Sequence, residues 1–425
     1  MTTLVVNGRR PVSGSYTPTG NKNAALPALA ACLLTAEPVT LRNIPLIKDV
    51  EVMLELLASL GVTVERHDRT VTLCARQVAP VKLDRDLCRR VRASILLAGP
   101  LVARCGRAEF YPPGGDVIGR RRLDTHFAGL QALGVTVKTA DTILLRGRKL
   151  RGADLLLDEA SVTATENLIM AAALADGTTT IYHAACEPHV QDLCRLLIAM
   201  GARIEGVGTN RLVVHGAKKL GGAEFTIGPD YIEIGSFMAA ALVTGGELTI
   251  EGVVADQSLE VVRRAFTKLG ARWTPRANGS IHLPARKRLR VAPDFGAAIP
   301  KIEDGIWPAF PSDLMSVAIV LATQAQGGVL FFEKLFESRM FFVDRLIEMG
   351  ARIVLCDPHR VLVQGPARLH GIHMTSPDIR AGMSMLIAAL CAKGSSVIDN
   401  AEVIDRGYEA IDERLRALGA DIERR

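Results

Sequence analysis

The sequence predicts an α/β protein of two domains, each built from three copies of one supersecondary unit. At 425 residues the chain is too long for one compact core. A tripeptide of Leu or Met, then Gly, then Val or Ala recurs roughly every 70 residues, and a nearly uncharged segment rich in Ala, Leu and Met precedes each copy. Because 48% of the residues are apolar and only 4% are aromatic, we expect cores of Ala, Leu, Val and Ile.

The recurring glycine predicts where one helix of each unit ends. In the first unit, residues 52–60 have helical periodicity, Gly61 follows, and residues 62–64 are rich in β-branched side chains. Glycine adopts the left-handed conformation that commonly terminates a helix. We therefore expect capping glycines at Gly61, Gly134, Gly201, Gly270, Gly350 and Gly419.

A second helix is predicted before each of these capped helices. These segments carry hardly a charge, so we expect them to be buried on nearly every side. Strand-like sequence follows several of them, as at residues 178–181 and 247–250. The predicted buried helices cover residues 24–34, 93–103, 164–175, 234–243, 314–322 and 381–392.

The sixth unit is too short for its last strands, whereas residues 1–20 supply strand-like sequence that belongs to no helix. We infer that the N-terminal strands complete the C-terminal unit. This predicts a first domain over residues 21–230, with a mobile loop around Asp116, and a second domain of residues 1–20 plus 231–425. Two chain crossings, near Gly20 and Pro229, make a hinge, and a cleft between hinged domains is a natural ligand site.

Charge and cysteine usage exclude several classes of function. The formal net charge is +6 and the arginines are dispersed, which favours small anionic ligands over nucleic acid. The eight cysteines form neither a C-x-x-C pair nor a metal-ligand cluster, as is typical of reduced thiols in a cytosolic protein. The N-terminus does not resemble a signal peptide, and the apolar runs are too short to cross a bilayer. We expect a cytoplasmic protein without metal, cofactor or membrane contact.

Residues 113–126 combine glycines, Asp116 and the arginines Arg120, Arg121 and Arg122. The glycines permit unusual backbone conformations, and guanidinium groups suit phosphate or carboxylate ligands. We interpret the stretch as a mobile active-site loop with Asp116 as a proton carrier. A solvated surface loop with a basic cluster is the alternative.

Polar residues also gather where the buried helices begin. Helix N-termini attract anions, so several of them converging on a cleft would hold a multiply charged ligand. For a single residue, such as Ser312 or Asp378, an ordinary helix cap is the alternative. The basic residues that we assign to this site are Lys22, Arg92, Arg121, Arg339, Arg380 and Arg406, and the carboxylates are Asp116 and Asp313.

Seven segments make a family resemblance visible: 21–27, 92–95, 99–104, 114–116, 310–313, 378–381 and 405–409. Together they closely resemble the UDP-N-acetylglucosamine 1-carboxyvinyltransferases, in one register over essentially the whole chain. The resemblance implies an α/β fold of two inside-out barrel domains, each of three βαβαββ repeats. This agrees with the six units inferred above.

The resemblance also implies a reaction, the transfer of the enolpyruvyl group of phosphoenolpyruvate to a hydroxyl of UDP-N-acetylglucosamine with release of phosphate. That reaction is the first committed step of peptidoglycan precursor synthesis. By position, Lys22, Arg121 and Arg406 would hold phosphoenolpyruvate. The implied nucleotide-sugar residues are Asn23, Arg92, Arg121, Arg122, Leu123, Asp124, Thr125, Ser161, Val162, Asp313 and Leu335, and our substrate-binding set adds Arg339, Asp378 and Arg380.

The chemistry needs an acid for the methylene carbon of phosphoenolpyruvate and a base for the incoming hydroxyl. Asp116 stands where the family has its proton donor, usually a cysteine, and we assign it as the acid and Asp313 as the base. Lys22, Arg121 and Arg406 would neutralise the phosphate and carboxylate. Since that cysteine is the target of fosfomycin in the family, we expect insensitivity to the drug.

Four positions depart from the common family pattern. Arg122 replaces a proline, Thr163 a glycine and Tyr231 an arginine, and Glu159 lies near where some members carry a phosphate-facing lysine. A carboxylate there would repel a diphosphate, so a paralogue acting on another nucleotide or nucleoside, such as UMP, is the second hypothesis. A non-catalytic repeat scaffold that binds RNA or a partner protein is the third, and it leaves Asp116 and Asp313 without a role.

Overall fold

Buried and outer α-helices alternate along the chain, apart from one extra short helix, α3. The computed structural model describes residues 2–79, 82–116, 118–253, 256–285 and 288–425. In chain order its α-helices are α1 (Lys22–Ala31), α2 (Lys48–Ser59), α3 (Arg85–Arg90), α4 (Ala98–Cys105), α5 (Asp124–Ala132), α6 (Val162–Ala172), α7 (Pro188–Ala199), α8 (Tyr231–Thr244), α9 (Gln257–Lys268), α10 (Met315–Gln324), α11 (Val343–Glu348), α12 (Ile379–Cys391) and α13 (Ile411–Ala417).

Short strands connect these helices. They are β1 (Leu4–Asn7), β2 (Gly14–Tyr16), β3 (Val39–Arg42), β4 (Thr63–His67), β5 (Thr70–Cys74), β6 (Arg107–Phe110), β7 (Thr136–Thr139), β8 (Ile143–Arg146), β9 (Asp154–Leu156), β10 (Thr178–Tyr182), β11 (Arg203–Glu205), β12 (Arg211–His215), β13 (Ala223–Thr226), β14 (Leu248–Ile250), β15 (Thr274–Arg276), β16 (Ser280–Leu283), β17 (Leu289–Arg290), β18 (Lys301–Glu303), β19 (Ala325–Phe332), β20 (Ile353–Asp357), β21 (Arg360–Gly365), β22 (His373–Thr375), β23 (Ser395–Asp399) and β24 (Asp421–Arg424).

The six predicted buried helices are confirmed as α1, α4, α6, α8, α10 and α12. Their residues are mostly buried, although the last three residues of α4 are only partly so. The second of them differs in its first turns. Residues 92–97 form a 3₁₀-helix, and regular α-helix begins only at Ala98. Pro100 has no N–H to donate to the carbonyl of residue 96, so proline is well tolerated here, in the first turn of α4, where that bond is not needed.

The glycine stops are also confirmed. Gly61 has a φ of 89°, in the left-handed region, and the Val62 N–H donates to the Leu57 carbonyl at 3.1 Å, which is the long-range bond of a Schellman motif. The other five glycines have φ values from 91° to 100°, and the residue after each of them donates the equivalent hydrogen bond. They are Gly134, Gly201, Gly270, Gly350 and Gly419.

The first compact unit comprises Gly20–Gly115 and Arg121–Gly228. Its three sheets have the strand orders β13-β3-β5-β4, β6-β8-β7 and β11-β12-β10-β9. In each four-stranded sheet, one edge strand is parallel to its neighbour and the other two strand pairs are antiparallel. One continuous hydrophobic cluster joins the buried helices α1, α4 and α6 to the inner faces of these sheets.

The second compact unit comprises Met1–Thr19, Asp116–Arg120 and Pro229–Arg425, with a hydrophobic cluster of its own. Its sheets have the orders β15-β16-β14-β2, β17-β19-β21-β20 and β22-β23-β1-β24, and β18 also pairs with β19. Strand β1 lies between β23 and β24 and is antiparallel to both. The prediction that the N-terminal strands complete the C-terminal unit is therefore confirmed for β1 and wrong for β2, which pairs with β14 in another sheet.

The loop around Asp116 groups with the second unit, although the sequence prediction placed it in the first domain. The reason is local: Asp116 pairs with Arg406, and the Arg120 N–H donates to Glu337 at 2.9 Å. Within the described ranges, no helix is both long and apolar enough to traverse a lipid bilayer.

Candidate active site

In the second unit, Asp116 forms an ion pair with Arg406. Arg406 NH1 donates to Asp116 Oδ1 at 2.6 Å, and both side chains are mostly buried. Arg406 is brought there by the 3₁₀-helix Ala401–Arg406 that follows β23. The predicted proton carrier and the predicted phosphoenolpyruvate-binding arginine are therefore in direct contact.

Two further contacts anchor the loop that carries Asp116. The Arg120 N–H donates to Glu337 Oε1 at 2.9 Å, and the Ser338 N–H donates to the Ile118 carbonyl at 3.2 Å. Gly119 has a φ of 135°, and a Cβ atom there would lie 2.5 Å from a carboxylate oxygen of Glu337. This position therefore requires glycine, which permits both the conformation and the close approach.

Asp313 lies between two buried arginines of the second unit. Arg339 NH2 donates to its Oδ1 at 3.2 Å, and Arg380 NH2 donates to its Oδ2 at 2.8 Å. Both arginine side chains are about 95% buried, whereas Asp313 is 27% exposed. Two guanidinium groups favour the ionised carboxylate, which is the form that accepts a proton from a hydroxyl.

Arg380 owes its position to the start of α12. Asp378 caps this helix, because its Oδ1 accepts the N–H groups of Arg380 and Ala381 at 2.8 and 2.9 Å. Burial lowers the pKa of Arg380, but Asp313 and Tyr408 outweigh burial and raise it. Burial raises the pKa of Asp378. Asp378, predicted to bind substrate, serves in this structure as a helix cap.

In the first unit, Lys22 is the first residue of α1 and is almost completely buried. Its Nζ lies 2.8 Å from Asp49 Oδ2 in α2. Asn21 caps α1 by accepting the Ala24 N–H at 3.1 Å. The polar start of this predicted helix is thus both a cap and a buried ion pair, and Asn23 follows within its first turn.

Arg92 and Arg121 also lie together in the first unit, where an Arg92 NH2 group donates to the Arg121 carbonyl. Burial and the neighbouring Arg121 charge lower the pKa of Arg92 to about 10. His126 lies nearby, and burial together with Arg92 lowers its pKa to about 3. The neutral ring of His126 forms a hydrogen bond with Thr163 Oγ1 at 2.9 Å. Thr163, which replaces the family's glycine, therefore has a side-chain partner in this structure.

The remaining predicted residues of the first unit are more exposed. Arg122 and Asp124 bond each other in a bidentate pair at 2.5 and 2.9 Å, with both side chains more than half exposed. Thr125 donates to Glu159 Oε1 at 3.4 Å. The other members lie at helix starts: Leu123 precedes α5, Ser161 precedes α6 and Val162 begins α6.

The second unit therefore brings Asp116 to Arg406 and Asp313 to Arg339 and Arg380, while Leu335 lies exposed after β19. Sequence reasoning missed Asp49, Asp304, Glu333 and Glu337. The first of these carried no signal, because a single acidic residue in an outer helix is usually solvated. Among the described side chains, no cluster of three or more His, Cys, Asp or Glu residues is arranged for a metal ion.

Comparison with known proteins places this arrangement in a family. Residues 6–415 match the family model of EPSP synthase (3-phosphoshikimate 1-carboxyvinyltransferase). UDP-N-acetylglucosamine 1-carboxyvinyltransferase of Bradyrhizobium diazoefficiens is 55% identical, with 99% of this chain and 97% of the relative covered. The enzyme of the same name from Treponema denticola is 53% identical, with 99% and 98% covered.

Solved structures agree. The enolpyruvyl transferase NikO from Streptomyces tendae has a TM-score of 0.88 at 25% identity, with 100% of this chain and 98% of that chain covered. EPSP synthase from Acinetobacter baumannii has a TM-score of 0.78 at 19% identity, with 100% and 99% covered, and this likeness shows the fold alone. The predicted fold class is confirmed. The chain belongs to the EPSP synthase family, and within it to the UDP-N-acetylglucosamine 1-carboxyvinyltransferases.

Proposed function

We propose that this protein transfers the enolpyruvyl group of phosphoenolpyruvate to a hydroxyl of UDP-N-acetylglucosamine and releases phosphate, the first committed step of peptidoglycan precursor synthesis. The observation that carries the proposal is the identity of 55% with a UDP-N-acetylglucosamine 1-carboxyvinyltransferase over 99% of the chain. The cytoplasmic location expected from the sequence is part of the proposal, and the eight free cysteines support it.

The reaction moves protons at two places. An acid protonates the methylene carbon of phosphoenolpyruvate while the acceptor oxygen bonds to the adjacent carbon and gives its proton to a base. The bond to the phosphate oxygen then breaks, and loss of a proton from the new methyl group restores the double bond. Asp116 is the proposed acid. Asp313 is the proposed base, and its contacts with Arg339 and Arg380 support that role because they fix an ionised carboxylate.

The ion pair between Asp116 and Arg406 suggests how an aspartate can act as the acid. The carboxylate accepts a hydrogen bond from Arg406 at 2.6 Å. In the proposal, the phosphate or carboxylate of phosphoenolpyruvate takes over Arg406. Asp116 then exchanges its contact with Arg406 for the methylene carbon, to which it donates its proton. The family's usual cysteine needs no such exchange.

The remaining predicted residues are proposed to bind the substrates. Lys22, Arg121 and Arg406 supply the positive charge for phosphoenolpyruvate, since permanent or stable cations suit phosphate and carboxylate groups. The first unit supplies the proposed nucleotide-sugar contacts at the starts of α5 and α6, where helix N-termini favour a diphosphate. The proposed mechanism uses neither a metal nor an organic cofactor.

Glu159 supports a second candidate acceptor. Its side chain is exposed close to the proposed nucleotide residues and accepts a hydrogen bond from Thr125. A carboxylate there disfavours a diphosphate, so an enolpyruvyl transfer to a nucleotide with fewer phosphates, such as UMP, is the alternative. The relationship to NikO, an enolpyruvyl transferase with a TM-score of 0.88, leaves this alternative within the same fold.

Phosphate release separates the candidates. The protein is mixed with phosphoenolpyruvate and either UDP-N-acetylglucosamine or UMP, and the organic product is identified by mass. We expect rapid phosphate release with the UDP-sugar and an acceptor mass increased by the enolpyruvyl group. Turnover with UMP, and none with UDP-N-acetylglucosamine, would establish the second candidate. Phosphate release with neither acceptor, together with binding of RNA that weakens steeply with salt, would support the scaffold hypothesis instead.

A further inference from the structure

Two carboxyl groups are buried beside Asp313 and have no part in the reaction described above. Strand β18 runs parallel to β19, with Glu303 opposite Phe332. The residues that directly follow the two strands, Asp304 and Glu333, therefore lie at the same end of the strand pair. Glu333 is 0% exposed and Asp304 is 1% exposed. Two carboxylates cannot both be ionised in such a place without a large electrostatic penalty.

The hydrogen bonds around this pair indicate where a proton is held. Asp304 Oδ1 accepts the Lys334 N–H, but Oδ2 finds no donor group among the described residues. Glu333 Oε1 accepts the Phe336 N–H at 3.2 Å, and Ser312 Oγ lies 2.9 Å from both Glu333 oxygens. A proton on Glu333 shared with Asp304 supplies the missing donor. Burial, and then the hydrogen bond with Asp304, raise the pKa of Glu333 well above its usual range.

This pair touches the catalytic groups through Arg339. The Arg339 guanidinium donates to Asp313 at 3.2 Å, while its Nε lies 3.9 Å from Glu333 Oε2, beyond hydrogen-bonding distance. Phe336 supports the guanidinium from one side, with 5.2 Å from its ring centre to the guanidinium carbon. A neutral Glu333 leaves the charge of Arg339 directed at Asp313. An ionised Glu333 would compete for that charge and draw the guanidinium away.

We propose that Asp304 and Glu333 form a positioning pair that retains one proton and thereby holds Arg339 against Asp313. The inference rests on the proposed function, because it assigns the pair to the base of that reaction. Glu333 does not touch substrate in this account. The charged or titratable groups that face the pair or its partners are Arg339, Asp313, Arg380, Asp378, His359, Lys334, Lys301 and Glu303.

The test compares Glu333→Gln with Glu333→Ala across pH. Glutamine is neutral at every pH and its amide donates to Asp304, so it mimics the protonated acid. We expect kcat of the unaltered protein to fall at alkaline pH, and we expect Glu333→Gln to lose that fall while keeping kcat within about threefold at neutral pH. Glu333→Ala frees Arg339 and should lower kcat roughly 10- to 100-fold with a small change in KM. Glu348→Gln, an exposed carboxyl-to-amide change in the same unit, is the matched control.

The inference is wrong if the unaltered protein has no alkaline fall, or if Glu333→Gln falls at the same pH as the unaltered protein. A second readout needs no turnover. The infrared carbonyl stretch of a protonated carboxyl group should be present at neutral pH in the unaltered protein and be reduced by one group in Glu333→Gln. If phosphate release fails but this band difference appears, the proposed function is wrong and the protonated pair stands. If turnover is normal and the band is unchanged, the positioning pair is wrong.

Discussion

Each unit buries carboxyl groups near another carboxyl group, and in the second unit such a pair also lies beside Arg339, a contact of the proposed base Asp313. In the first unit, Glu166 of α6 is 1% exposed, and burial followed by Glu187 raises its pKa well above the usual range. In the second unit, Glu333 has the same type of shift with Asp304 as its neighbour. The difference is Arg339, which links Glu333 to Asp313.

Burial alone does not give a carboxyl group a function. Glu166 sits in a helix surrounded by the hydrophobic core of the first unit, so its protonation affects mainly the stability of the fold. Glu333 sits beside a fixed cation that a second carboxylate shares, so its protonation changes where that charge acts. The same desolvation penalty therefore affects stability at Glu166 and the placement of a charge at Glu333.

The largest loss of activity is expected at Asp313, which Arg339 and Arg380 both contact. Asp313→Asn removes the proposed base and leaves Arg339 and Arg380 without their shared carboxylate. We expect kcat to fall by about 10²- to 10⁴-fold, measured as phosphate release. In the Asp313→Asn background, adding Glu333→Ala should change kcat no further. A full additional loss from Glu333→Ala would show that the pair acts by a route other than Asp313.

Asp116 tests a carboxylate that is paired with arginine instead of with another carboxyl group. Asp116→Asn should lower kcat by about 10²-fold or more, because an amide cannot donate the proton. Asp116→Cys should restore turnover and gain a covalent mass increase with fosfomycin, which the unaltered protein should not show. Labelling of the unaltered protein, or near-normal turnover of Asp116→Asn, would contradict the acid role.

Glu166 tests the purely structural case. Its pKa is raised in the folded state, so the contribution of Glu166 to stability is fully present below its unfolded-state pKa of about 4 and is lost as the pH rises. Glu166→Gln should remove this loss and raise the free energy of unfolding near pH 8 by about 1–3 kcal/mol, with kcat unchanged. Urea unfolding at pH 5 and pH 8 measures the difference. A gain that is equal at both pH values would show that protonation of Glu166 is not its cause.

The smallest effect is expected for the exposed pair of Arg122 and Asp124. Exposed ion pairs contribute little, so Arg122→Ala should change the free energy of unfolding by less than about 0.5 kcal/mol. If Arg122 binds the nucleotide as proposed, KM for UDP-N-acetylglucosamine should rise while kcat stays the same. An unchanged KM would remove Arg122 from the substrate-binding set.

Features set by local sequence were predictable, and features set by register were not. Gly61 and its five counterparts terminate helices because a left-handed residue is needed at that point, and this need is visible in a few neighbouring residues. Asp304 and Glu333 meet only because β18 and β19 pair in one parallel register, which the sequence pattern does not specify. Asp405 likewise takes as its partner Arg424, 19 residues further along the chain.

The position of β1 has a consequence for how the chain matures during synthesis. Its four residues lie between β23 and β24, so their hydrogen-bonding partners are about 390 to 420 residues further along the polypeptide. The ribosome therefore releases the first unit in full before this strand has anything to pair with, and the last sheet closes only after residues 421–424 have been synthesised. Until then Leu4 and Val6, both fully buried in the folded protein, remain open to chaperones.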